Sequence, residues 1–387
     1  GSGNTPASAS RFTRACIFEP PSVLRGIDKA EAASDKLGLR WLGTLLRGAM
    51  HLRVSGHDQH RVVAITGATG FVGRHVVQRL LEEPGLSLRC LVRQASEPGE
   101  IASHPGRIEV VRGDVEEPSS LADLVEGAWG VINLAGYRDF WSADRELYYR
   151  LNTQGAEHVF RAALAARVQK VVQVSTPLAY GVPEQIPFDE DTPAGPHPSD
   201  YARSKRLADE IGWRMHREAG LPLTIVHLAA VIGAGDPRPT MEVRRAVEKK
   251  LPALTGAETT YTYVYVRDAA EAIVRALLSP NSVGRGYLIG TERASTREYF
   301  EIIGELAGVP VPRWNLPEAA LLPVARLLER VAGWTGHRPL LPVDILKTTA
   351  AGSLVFDGTR AKEELQMRYT PLREALREAV EEIQAEA

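Results

Sequence analysis

The chain has 387 residues, 44% of them hydrophobic and 24% charged, with a formal net charge of -2, the profile of a globular protein rather than a disordered or fibrous one. Near-neutral charge gives no electrostatic ground for a nucleic-acid partner, and no apolar run reaches the about 18 residues that a membrane-spanning helix needs. Two cysteines, Cys16 and Cys90, are too few for a disulfide framework and stand in no metal-ligand or redox pattern, so no metal is expected and a reducing, cytoplasmic setting fits.

Residues 1–60 read differently from the rest. The opening GSG has the look of an expression scar, and the Ser-, Ala-, Thr- and Pro-rich start, to about residue 20, reads as a flexible leader. Within 36–53, Leu39, Leu42, Leu46 and Ala49 fall on one helical face, with Arg40, Thr44, Arg47 and His51 on the other. A basic amphipathic helix of this kind packs on its own domain or a sister subunit, the preferred reading, or makes peripheral contact with a membrane.

From Arg61 the pattern becomes regular. RVVAIT reads as a buried strand, followed by a Gly-rich turn, the amphipathic helix FVGRHVVQRLLEE and a second strand, LSLRCLVR. RIEVV, WGVINLA, KVVQVS and LTIVHLA continue the strands, with SLADLVEGA and AEHVFRAALAA as helices between them. Alternation of this kind gives a parallel sheet covered on both faces, with ligands bound beyond the carboxyl ends of the strands. Further on, TTYTYVYV alternates as a strand, RDAAEAIVRALL is a helix that Asp268 can cap, GRGYLIG is a short strand, and 296–335 and 371–386 are mainly helical. The expected fold is α/β: a Rossmann-type doubly wound sheet over 61–232, then a smaller, mixed substrate-binding region over 233–387. Parts of 258–290 are expected to return to the Rossmann core.

The turn after the first strand, TGATGFVG, spaces Gly67, Gly70 and Gly73 three apart with a helix directly behind them. Backbone N–H groups and the helix dipole then face an anion that glycine lets come close. Gly67, Thr69, Gly70, Phe71, Val72 and Gly73 are therefore candidates for holding a dinucleotide's diphosphate. The second strand ends LVRQ, which puts Arg93 where many such sites carry an acid for the adenosine ribose. A guanidinium there suits a 2'-phosphate, favouring NADP(H) over NAD(H); the plainer alternative is a solvated surface arginine. Asp114 and Val115, after the third strand, are placed to meet the adenine, and Leu134, Ala135 and Gly136 follow the fourth strand where the nicotinamide half would pass. Tyr201 and Lys205 stand four apart behind Ser199 and Asp200. If either of the latter caps a helix, the phenol and the ammonium share one face. Such pairs also arise by chance, so their meaning depends on their surroundings.

Those surroundings resemble the extended short-chain dehydrogenase/reductase superfamily, of the NAD-dependent epimerase/dehydratase type. TGATGFVG, GDV, NLAG, Asn152 in LNTQGAEHV, the strand end Ser175-Thr176, YARSK and YVRDAAEAI occur in that family's order between about 61 and 290. The resemblance implies that Tyr201 is the general acid or base, that Lys205 favours its phenolate and bonds the nicotinamide ribose, and that Thr176 holds the substrate oxygen. Thr176 is preferred to Ser175 from the interval to Tyr180-Gly181, although either hydroxyl can serve. Asn152 is expected to position the active-site loop or simply to cap a helix start. The resemblance also implies a homodimer built on AEHVFRAALAA and SKRLADEIGWRMH.

Departures from the pattern narrow the reaction. Pro177 and Leu178 replace the Asp-Glu pair of sugar dehydratases, and His227-Leu228 replaces a common Arg-Pro pair. GYRDFWSADRELYYRLN and LPVARLLERVAGWTGHRPLLPVDILKTT resemble the branch holding dihydroflavonol reductases, 3-beta-hydroxysteroid dehydrogenases and hopanoid-associated enzymes. Tyr137, Phe140 and Trp141 either wall an apolar pocket or pack the loop. The expectation is an NADP-dependent oxidoreductase interconverting a ketone and a secondary alcohol on a hydrophobic small molecule: sterol-, polyketide- or fatty-hydroxy-acid-like. The alternatives are a nucleotide-sugar epimerase with tightly bound NAD and a non-catalytic NADP-binding regulator.

Overall fold

The computed structural model describes residues 61–235 and 239–386; the expectations for 1–60, including the 36–53 helix, lie outside them. In chain order the first elements are β1 (Arg61–Thr66), α1 (Phe71–Leu81), β2 (Leu86–Val92), β3 (Ile108–Arg112), α2 (Pro118–Val125) and β4 (Gly130–Asn133). They continue through α3 (Gly155–Ala165), β5 (Lys170–Ser175), α4 (Asp200–Ala219), β6 (Leu223–Leu228), β7 (Ala230–Ile232), α5 (Pro239–Val247), β8 (Leu254–Thr255), β9 (Thr260–Tyr265), α6 (Val266–Leu278) and β10 (Gly286–Ile289). The last are β11 (Glu292–Ser295), α7 (Thr296–Ala307), β12 (Asn315–Leu316), α8 (Glu318–Thr335), α9 (Val343–Ala350), α10 (Thr359–Glu364) and α11 (Leu372–Ala385).

Seven strands form one sheet in the order β10-β6-β5-β4-β1-β2-β3, and every pairing in it is parallel. Alternate residues of each strand point to opposite faces, and both faces are covered. Val63 and Ile65 of β1 face a core shared with Val76 and Leu80 of α1 and Ile273 and Leu277 of α6. Ala64 faces the other core, filled by Leu121 and Leu124 of α2, Val159 and Phe160 of α3 and Ala208 of α4. Strand order reverses between β1 and β4, which opens a crevice at their carboxyl ends.

The GRGYLIG strand is β10, hydrogen-bonded to β6. A second, mixed sheet runs β11-β9-β7, with β9 parallel to β7 and antiparallel to β11. Its core joins Tyr263 to Val243 of α5, Phe300 and Ile303 of α7, and Leu376, Val380 and Ile383 of α11. Asp268 does not cap its own helix: Tyr265 occupies the N-cap position of α6. The Asp268 carboxylate instead accepts from the Thr370 backbone N–H at 2.6 Å, tying the chain just before α11 to α6.

Candidate active site

At the end of β1 the chain turns through Gly67, at φ +69°, a conformation that favours glycine. A Cβ there would also come within 2.8 Å of the Leu134–Ala135 backbone, and one on Gly73 within 2.1 Å of the Gly67 carbonyl. These two glycines let the turn close tightly under the start of α1. Gly70 N-caps α1 without any side-chain cap, and no acidic residue stands in the first turn. The first-turn N–H groups and the positive end of the helix dipole thus lack a side-chain acceptor, as a diphosphate site requires. Thr69 and Gly70 are exposed, Val72 is half-buried, and Phe71 and Gly73 are buried.

The other expected cofactor residues line the same edge of the sheet. Arg93 follows β2 and is exposed. The Arg112 guanidinium donates to the carbonyls of Arg93 and Ser96, at 3.0 and 2.7 Å, and so fixes that corner. The Asp114 carboxylate accepts from Glu116 N at 3.1 Å, closing the turn after β3; Val115 is buried beside it. Leu134, Ala135 and Gly136 leave β4, with Ala135 N donating to the Thr66 hydroxyl at 3.1 Å. Below them a buried polar ladder crosses three strands. Thr66 Oγ1 donates to Asn133 Oδ1 at 2.5 Å, and Asn133 Nδ2 donates to Gln173 Oε1 at 2.7 Å.

Ser199 caps α4, its hydroxyl accepting from Ala202 N at 3.2 Å. Tyr201 and Lys205 consequently lie on one face in the helix's opening turns. Lys205 is buried, and its Nζ donates to the Val174 carbonyl at 2.7 Å. Burial pulls its pKa below the ordinary lysine value, and the Asp209 carboxylate one turn further on opposes that shift. Ser175 and Thr176, which the sequence leaves as alternatives, are set apart by the structure. Ser175 is buried and donates to Asp209 Oδ2 at 2.7 Å. Thr176 is half-buried at the N-cap of the 3-10 turn Pro177–Tyr180, where its hydroxyl accepts from Leu178 N at 3.4 Å.

Two features escape the sequence reading, and one expected residue, Asn152, finds its place. Asp209 binds Ser175 and also lies 3.2 Å from His227 Nε2, deep in the core; the run 201, 205, 209 at helical spacing was the signal for it. This pairing also accounts for His227 at the end of β6. Asn152 lies in a π-helical turn, Tyr149–Gln154, a distortion frequent at functional sites. It accepts from Tyr137 N at 2.7 Å and donates to Tyr137 O and Ser204 Oγ, each at 2.9 Å, so it holds the loop after β4 against α4. Finally, Arg145 pairs with both Asp200 and the buried Asp344, and Arg338 lies 3.0 Å from Asp139. These pairs tie the C-terminal segment to the loop that carries Phe140. The Phe140 ring meets Tyr201 edge-on, centroids 5.6 Å apart, and the Tyr137 hydroxyl donates to the Trp141 carbonyl at 2.8 Å.

A doubly wound sheet, a glycine turn feeding a bare helix N-terminus and a Tyr-Lys pair on a capped helix define a dinucleotide-dependent enzyme. The model of the NAD dependent epimerase/dehydratase family matches residues 63–290, and the chain belongs to that family of extended short-chain dehydrogenases/reductases. It is 29% identical over 325 residues to a Synechocystis sp. protein provisionally named dihydroflavonol 4-reductase, covering 82% of this chain and 92% of that one. Sterol demethylase protein B of Methylococcus capsulatus is 27% identical over 326 residues, covering 82% and 96%. The crystal structure of gox2253 superposes with a TM-score of 0.71 at 30% identity, covering 84% of this chain and 98% of that one.

Proposed function

We propose that the protein is an NADP-dependent oxidoreductase interconverting a ketone and a secondary alcohol on a hydrophobic substrate. The observation that carries the substrate class is the aromatic loop Tyr137–Trp141, with Phe140 against Tyr201, beside a helix that bears the proton-transfer pair. The similarity to a reductase-named and a sterol-demethylase-named protein supports the same class. Gly67, Thr69, Gly70, Phe71, Val72 and Gly73 would hold the diphosphate, Arg93 the 2'-phosphate, Asp114 and Val115 the adenine side, and Leu134, Ala135 and Gly136 the nicotinamide side. The bound nicotinamide supplies or accepts the hydride.

The chain's own residues handle the proton. Tyr201 gives a proton to the carbonyl oxygen, or takes it from the hydroxyl. A phenol titrates near about 10 and needs help to do this at neutral pH. Lys205, whose charge favours phenolate, provides that help. Thr176 orients the oxygen, since Ser175 is committed to Asp209. The Asp209 carboxylate opposes the downward pull of burial on the Lys205 pKa.

Tyr201→Phe tests the assignment: turnover with NADPH should fall by about 10²- to 10⁴-fold, with the affinity for NADPH kept within a few-fold. Unchanged turnover would remove Tyr201 from the chemistry. The second reading, a nucleotide-sugar epimerase, is favoured by the family alone and separates at the cofactor. An epimerase retains stoichiometric NAD through purification. The oxidoreductase should arrive empty or with NADP(H) and bind NADPH at least about tenfold tighter than NADH, or about 1.4 kcal/mol, a preference that Arg93→Asp should abolish.

A further inference from the structure

Helix α8 (Glu318–Thr335) packs by one side only. Ala325 is buried with Val343 and Leu346, and Leu321, Leu322 and Leu341 lie against them. Glu329 also points inward and accepts from Val343 N at 2.8 Å. The opposite side is apolar and open: Val324 is 50% exposed, Leu327 61%, Val331 51% and Trp334 95%. At 100° per residue these four fall within an arc of about 80°. Leu340 just beyond the helix, and Trp314 and Leu316 just before it, are exposed as well.

Charge singles out one occupant. The sector adjoining the apolar arc carries Arg326 and Arg330, both exposed, and among the described residues neither guanidinium has an acidic partner. The two acids of this helix, Glu318 and Glu329, are half-buried and lie on other sectors. An open apolar stripe with a terminal tryptophan and an arginine-only flank matches the interface of an anionic bilayer: the rings and aliphatic chains enter the headgroup boundary and the guanidinium groups meet lipid phosphates. A second copy docked antiparallel on this face would bring the same arginines toward one another. No described helix is long and apolar enough to cross a membrane, so the contact lies in the plane of the surface.

We propose that the outer face of α8 is a docking surface for anionic lipid bilayers, with Val324, Leu327, Val331 and Trp334 inserting and Arg326 and Arg330 binding lipid phosphates. The turn after α8 is tied to the aromatic loop by Arg338–Asp139, so on the reading of an apolar substrate the docked face sets that loop near the phase in which such a substrate dissolves. Lipid binding is measured without turnover, so its failure and that of the oxidoreductase reading are distinguishable.

The test is co-sedimentation of the full chain with vesicles of phosphatidylcholine alone or with about a third phosphatidylglycerol, at low and high salt. Two double variants accompany the wild type: Leu327→Ser with Trp334→Ser, and Arg326→Glu with Arg330→Glu. All four positions are exposed, so both variants should keep the wild-type melting temperature. Partition onto anionic vesicles should exceed that onto neutral ones at least tenfold, weaken with salt, and fall at least tenfold in each variant. Absence of wild-type binding to anionic vesicles, or binding that survives either variant, overturns the proposal. A soluble dimer that dissociates in the Ser variant, with no vesicle binding, assigns the face to a second copy and overturns it too.

Discussion

Lys205 concentrates the chemistry of the site in one side chain. The side chain is buried and its ammonium donates to the Val174 carbonyl, so holding the charge there costs stability. Burial depresses the folded-state pKa, while the unfolded chain keeps the ordinary value near about 10.4. The cost is therefore fully present below the folded-state pKa and fades as pH rises from there toward the unfolded value. Lys205→Met should lose about 10²-fold or more in turnover and yet melt a few degrees higher at pH 7, with that gain shrinking at pH 10. Paired kinetics and calorimetry check this, and a lower melting point at pH 7 would mean that the charge is not held at a cost. The sequence shows that a Tyr and a Lys share a face; it does not show that the Lys is buried. Burial comes from β5 passing beneath α4, a contact between segments about 30 residues apart with no local signature. Ser175 and Thr176 teach the same lesson: which hydroxyl turns inward depends on Asp209, which no residue near β5 announces.

Strands, helices and turns with a strong local pattern were legible. The β1 turn with α1, the run of parallel strands and the Ser199 cap follow from periodicity, glycine spacing and capping chemistry. Elements shaped by their neighbours were not. Asp268 has the form of a cap at the start of a helix, yet its carboxylate holds Thr370, because the distant chain offers an N–H where local geometry offers none. The π turn Tyr149–Gln154 carries no sequence signal either, since it exists to bring Asn152 against the loop after β4 and against Ser204. Asn152→Ala leaves Tyr137 N–H, Tyr137 C=O and Ser204 Oγ each short of one partner. The cost should be about 1–3 kcal/mol in denaturant unfolding. Because the loop carries Phe140 rather than the glycine turn, turnover should drop well beyond any change in NADPH affinity. Equal losses in both would place Asn152 in general folding rather than in the loop.

At the scale of the whole molecule, the C-terminal segment serves both cores. After α9 it returns to the first sheet: Phe188 and Phe356 form a β-bridge, Ala361, Leu365 and Met367 enter the core beneath α1 and α6, and the Tyr287 hydroxyl of β10 donates to Glu364 at 2.9 Å. The chain then supplies α11 to the second core through Leu372, Leu376, Val380 and Ile383. Burial of these four side chains contributes about 1.5–3 kcal/mol each, or about 6–12 kcal/mol together, against a net stability of about 5–15 kcal/mol for a typical domain. The last 30 residues are thus expected to be a condition of folding for the nucleotide site, although Gly67, Gly70, Gly73, Arg93 and Tyr201 lie far upstream. A chain ending at Asp357 should show no cooperative melt and no NADPH binding, whereas a conservative Leu376→Val variant should melt lower but bind nucleotide normally. A truncated chain that binds NADPH as the full one does would establish residues 61–290 as an autonomous folding unit and reassign the C-terminal return to substrate recognition alone.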